Sequence, residues 1–122
     1  MPILEIEIVL QPGEILMSDL AARLADAAAE IFKSEPRGTW VRLRTLDAVQ
    51  YAENASGAGS DVFPVFVSVL KARLETDILG TEADQLAESL AHICNRPKEN
   101  VHIFYQPEAR GRVAFGGKLL KP

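Results

Sequence analysis

The second residue of the chain is a proline, directly behind Met1 in "MPILEIEIVL". Removal of Met1 makes the Pro2 nitrogen a terminal secondary amine. An ordinary α-amino group has a pKa of about 8. A neighbouring cation or an apolar pocket disfavours its charged form and lowers that value. A base poised near neutral pH is what proton abstraction requires. The alternative is an edge-strand proline, whose missing N–H costs no ladder bond. If Met1 stays, the nitrogen is an amide and has no basicity.

Arg42 and Arg44 flank Leu43 and therefore share one face of a strand. From there they would bind a carboxylate or stabilise a developing enolate, or else be solvated or ion-paired. Lys33 lies near a helix end, where a cation complements the dipole without any catalytic role. Other chemistries lack their residues. His92, Cys94 and His102 form no metal-ligand pattern. His92 follows Glu88 by four on the polar face of a helix, and Cys94 falls on an apolar stripe. "GRVAFGGK" is no phosphate loop, because its glycine–lysine spacing is off by one and Leu119 stands where Ser or Thr would hold magnesium. No cofactor is expected.

The elements that must position these residues follow from periodicity. Residues 3–10 alternate as a strand, with Leu4, Ile6, Ile8 and Leu10 on one face and Glu5 and Glu7 on the other. Ser18 is the expected N-cap of a helix running to about Lys33, with Leu20, Leu24, Ala27, Ala28 and Ile31 as its buried stripe. Residues 39–45 read as a second strand and residues 47–61, with "ENASGAGS", as a flexible connector. Residues 63–72 read as a third, more continuously apolar strand. Thr81 is the expected cap of a second helix, with Asp84 as capping-box partner. Its apolar face is Ala83, Leu86, Ala87, Leu90, Ile93 and Cys94. Residues 101–106 form a fourth strand, and "RGRVAFGGKLLKP" a tail broken by Gly-Gly.

The chain therefore repeats itself at an offset close to sixty residues, with pseudo-repeats at about 2–46 and 63–106 and a tail at 107–122. A helical crossover makes the two strands of each half parallel. The expected fold is α+β: one domain, a tandem βαβ repeat, a four-stranded mixed sheet with two helices on one face. Two helices leave the other face for water or another subunit, which favours an oligomer. The same element order also suits a ferredoxin-like binding or assembly module, which differs in strand pairing.

Composition fits one soluble domain: 122 residues, 48% hydrophobic and 25% charged. The net charge of -4 argues against nucleic acid or an anionic membrane as main partner. A single cysteine allows no intrachain disulfide and fits a reducing compartment. The start lacks the features of a secretory leader, and no apolar run reaches membrane-span length. A cytoplasmic protein is expected, and the sequon at Asn54-Ala55-Ser56 then has no meaning.

The duplicated βαβ layout, the proline at position 2, "VLKAR" ending at Arg73, and "FGGKL" at 115–119 together resemble the tautomerase superfamily. In layout the resemblance covers the whole chain. Arg73 looks like the strand-end arginine of 4-oxalocrotonate tautomerase, and the length looks like the macrophage migration inhibitory factor branch. The resemblance implies a homotrimer with sites at subunit boundaries and Pro2 as general base. It implies a 2-oxo or 2-hydroxy-dienoic acid substrate held through its carboxylate. Arg73 would both depress the Pro2 pKa and grip that carboxylate in a fork.

By the same resemblance, "NVHIFYQ" occupies the strand that carries the branch's pocket tyrosine and asparagine. His102 and Phe104 stand in their places, while Tyr105 faces the opposite way. His102 is then a pocket hydrogen-bonding group or a surface histidine. Phe115 is an apolar pocket wall or a tail-packing residue. Ala114 replaces the water-activating glutamate of the cis-3-chloroacrylic acid dehalogenase branch, and Glu108 is only a loop candidate. Proton transfer without water addition is therefore expected.

Overall fold

The computed structural model of the chain describes residues 2–57 and 61–122. The expected removal of Met1 and the last part of the connector lie outside the described residues. The first half is β1 (Ile3–Val9), α1 (Leu20–Phe32) and β2 (Trp40–Leu46), and the second is β3 (Val65–Leu70), α2 (Leu79–Cys94) and β4 (Val101–Tyr105). A short hairpin of β5 (Ala114–Phe115) and β6 (Lys118–Leu119) follows. Its turn is Gly116-Gly117, both at positive φ (59° and 84°), a backbone that glycine adopts without a Cβ penalty.

The main sheet runs β2-β1-β3-β4. β1 and β2 are parallel, β3 and β4 are parallel, and the halves join through the antiparallel β1–β3 pair, from Ile3 opposite Leu70 to Ile8 opposite Val65. Neighbouring parallel strands within each βαβ unit are what the tandem reading needs, and they exclude the ferredoxin-like pairing.

Alternation fixes the two faces. Leu4, Ile6 and Ile8 of β1 and Val65, Val67 and Val69 of β3 are buried in one cluster with Leu20, Leu24 and Ala28 of α1 and Leu86 and Leu90 of α2. Each of the leucine, isoleucine and valine side chains contributes about 1.5–3 kcal/mol. Both helices thus cover one face. The open face carries Glu5 and Glu7 of β1, Trp40, Arg42 and Arg44 of β2, Phe66 and Ser68 of β3, and His102 and Phe104 of β4. Trp40 and Phe104 there are 45% and 52% exposed.

Three local expectations are corrected. Val9, not Leu10, is the buried residue at the end of β1. Neither helix has a side-chain cap: Asp19, not Ser18, precedes α1, and Ile78 precedes α2. Thr81 already lies inside the first turn of α2, because the Glu82 N–H reaches back to the Ile78 carbonyl at 2.9 Å. Asp84 forms no capping box and instead accepts from Lys98 at 2.6 Å. Both helices end on a left-handed residue, Lys33 (φ 55°) and Asn95 (φ 56°), whose N–H groups take up terminal carbonyls.

Candidate active site

The antiparallel joint brings the start of β1 and β2 together with the end of β3 and β4. The C-terminus of α1 and the N-terminus of α2 lie at the same end. Pro2 is buried there, and its carbonyl accepts the Trp40 N–H at 3.0 Å, extending the β1–β2 ladder. The β1–β3 register, continued one residue past Ile3–Leu70, sets Pro2 across from Lys71. Two cavities flank this end, one on each side of the sheet.

The helix-side cavity, about 530 Å³, is lined by Phe32 and Lys33 from α1, Lys71 and Arg73 beyond β3, and Thr81 and Glu82 from α2. Its buried wall is a three-residue polar cluster. Lys71 Nζ donates to both Glu82 oxygens, at 3.1 and 2.9 Å. Tyr105 OH donates to Glu82 Oε1 at 2.9 Å. The Lys71 ammonium also lies 5.2 Å from the centre of the Phe32 ring, within cation–π range. Burial first, then the hydrogen bond to Glu82, pushes the Tyr105 phenol far above its ordinary value. Glu82 is only 7% exposed, so its charge is held by partners rather than by water. Arg73 and Lys33 line the same cavity and make no ion pair among the described residues.

The open-face cavity, about 460 Å³, is lined by Ile3, Glu5, Arg42, Gln106, Glu108 and Arg112, among others. Of its two cations, Arg42 is already paired with Glu5, while Arg112 makes no ion pair among the described residues. Glu108 has neither oxygen free: Oε2 accepts the Leu74 N–H at 2.7 Å and Oε1 accepts Arg110 Nε at 3.0 Å. The Leu74 N–H chiefly, then Arg110 and the charge of Arg73, hold its carboxyl below the usual range against the opposing effect of desolvation. Such a carboxylate is a weak base toward water.

The candidate residues therefore separate. Pro2 and Arg73 share one end of the sheet, with Arg73 on the helix side and Arg42 on the open side. Arg44 lies further along the open face, in register with Glu7. His102 and Phe104 flank Phe66, with ring centres 5.7 and 6.4 Å from it, and Tyr51 meets Phe66 at 6.0 Å. Phe115 packs edge-on against Trp40 at 5.8 Å. Neither cavity of this one chain gathers Arg73 with Arg42, Arg44, His102, Phe104 or Phe115. Periodicity gives no sign of Lys71 as a site residue. A signal for Glu82 did exist: it sits one helical turn before Leu86, on the apolar stripe, where a carboxylate needs a partner.

No family model matches the chain, and no curated protein matches its sequence. Solved structures do match in shape. A fused 4-OT described as a wild-type symmetric trimer superposes with a TM-score of 0.75 at 12% identity, covering 96% of this chain and 94% of that one. The macrophage migration inhibitory factor of Trichinella spiralis superposes at 0.69 with 15% identity, covering 96% and 98%. FG41 malonate semialdehyde decarboxylase, inhibited by 3-bromopropiolate, superposes at 0.67 with 19% identity, covering 93% and 88%. This chain has the tautomerase fold that its opening proline, its duplication and its Gly-Gly tail resemble.

Proposed function

We propose that the protein is a cofactor-independent tautomerase whose base is the Pro2 amine, freed by removal of Met1. The amine takes the proton alpha or vinylogous to the carbonyl of a 2-oxo acid, or the hydroxyl proton of a 2-hydroxy-dienoic acid. The enolate forms as the prolinium forms, and the same proton returns to another carbon or oxygen of the molecule, so nothing is oxidised or hydrated. Arg73 holds the substrate carboxylate. The observation that carries this reading is a contrast between cations at the Pro2 end of the sheet. Lys71 and Arg42 are already neutralised by Glu82 and Glu5, whereas Arg73, like Lys33 beside it, makes no ion pair among the described residues and faces a cavity of small-molecule size; of those two, Arg73 carries the planar fork that fits a carboxylate.

The working form is a cytoplasmic homotrimer. Half-exposed Trp40 and Phe104 on the open face, and the symmetric trimer of a structure with this fold, support it. In such an assembly the open-face candidates Arg42, Arg44, His102 and Phe104 would approach a neighbouring copy. No helix among the described residues is long and apolar enough to cross a membrane.

The test is an intact mass followed by an enol–keto assay on a panel of such acids. A chain lacking Met1 should be active. Pro2→Ala should lower kcat by about 10²–10⁴-fold, the usual worth of a positioned base. Arg73→Ala should act mainly on KM. A processed chain with no activity, or a Pro2→Ala variant with undiminished activity, refutes the reading.

A further inference from the structure

We infer that Lys71 and Glu82 act as an electrostatic pair that sets the basicity of Pro2, with Glu82 the positioning residue. The inference rests on Pro2 being the base, and it goes beyond that by naming what tunes it. Three segments converge on the cluster: the residue after β3, the first turn of α2, and the end of β4. All three polar groups are satisfied by one another, and the side chains of Lys71 and Glu82 are 16% and 8% exposed. Water therefore screens this pair little. The β1–β3 register, continued one residue past its last pair Ile3–Leu70, brings the Pro2 backbone opposite that of Lys71. Paired strands hold opposite Cα atoms about 4.5–5.5 Å apart.

A cation beside an amine disfavours its protonated form, and an anion does the opposite. Lys71 lowers the Pro2 pKa, and its partner Glu82 opposes that effect. Other charged groups bear on the same amine. Lys33 of α1 and Arg73 beyond β3 are cations facing the helix-side cavity, and Glu75 is an anion there. Glu5 and Arg42 form a pair on the open side, and Glu108 and Arg112 line the cavity beside them. Tyr105 stays neutral and fixes Glu82 by its hydroxyl. Among these groups at the Pro2 end, the Lys71–Glu82 pair is the one both buried and held in a single geometry.

The test is an NMR titration of the Pro2 amine in chain labelled with ¹⁵N-proline, which reads the base without any substrate. Glu82→Gln leaves Lys71 unneutralised and should move the Pro2 pKa down by about one unit. Lys71→Met leaves Glu82 held by Tyr105 and should move it up by a similar amount. The double variant removes both charges and should return it close to the wild-type value. Thermal melts accompany each variant, and the double variant keeps the comparison usable if one single variant does not fold. A role in folding alone would lower the melting temperature without giving shifts of opposite sign. A wild-type Pro2 that titrates, with variants that shift together or not at all, overturns the tuning while leaving Pro2 as base. A wild-type chain with no titrating proline amine overturns both.

Discussion

Arg96 should be the most costly surface-adjacent cation in the molecule to remove. Its side chain is 1% exposed and donates to five residues: Val9, Glu14 and Phe63 from distant parts of the chain, and its neighbours Cys94 and Asn95. Nη2 donates to the Val9 carbonyl at 2.9 Å and to Glu14 Oε1 at 2.6 Å. Nη1 donates to Glu14 Oε2 at 2.9 Å and to the Cys94 carbonyl at 3.1 Å. Nε donates to the Phe63 carbonyl at 2.8 Å. Arg96→Met keeps most of the stem but strands a partly buried carboxylate and strand-end carbonyls. Breaking a buried pair costs about 3–5 kcal/mol, a large part of the about 5–15 kcal/mol available to a domain.

Urea denaturation should show this as a lower midpoint at unchanged slope, and the melting temperature should fall by about 15 °C. The effect also carries a pH signature. The hydrogen bond from Arg96, with help from the Gln11 N–H and against burial, holds the Glu14 carboxyl below 4.5 in the folded state. A depressed carboxyl contributes stability that is present above its unfolded pKa and is lost as pH falls through the folded one. The gap between wild type and Arg96→Met should therefore close in acid, below about pH 4. A loss under about 1 kcal/mol at pH 7, the range of exposed ion pairs, would refute the reasoning.

Two further outcomes are expected. Burial pushes the Cys94 thiol up to about 11, so a disulfide exchange reagent at pH 8 should label it only at the rate of unfolding; rapid labelling of native protein would contradict its placement. Phe104→Asp puts a charge on the open face where the homotrimer is proposed to close. Light scattering should then report a fall from three protomers to one, and an unchanged mass would remove that face from the interface.

The strands and faces were legible because alternation is a local signal. Leu4, Ile6 and Ile8 announce one covered side, and the offset between the halves announces the parallel pairs. The start of α2 was not legible, because Thr81 and Asp84 imitate a capping box while the first turn closes three residues earlier on Ile78, beside Gly80. The candidate site was legible only where a residue's type is unusual, as at Pro2. Lys71 and Glu82 look like ordinary charges, and only tertiary proximity makes them a buried pair. Arg96 was invisible for the same reason: its partners Val9 and Glu14 lie 87 and 82 residues away.

The antiparallel joint between β1 and β3 gives the duplicated sheet two similar ends, and the chain furnishes them differently. At the second end the strand is entered through Phe63 and Pro64, internal residues whose nitrogens are amides in every copy of the protein. That end is tied together by Arg96, which bonds Val9, Glu14 and Phe63. The two ends thus differ in what holds them: a buried Arg96 clasp at one, the Lys71–Glu82–Tyr105 cluster at the other. Substitutions near Arg96 should be judged by whether the chain still folds, and those near Lys71 and Glu82 by their effect on the base proposed at Pro2.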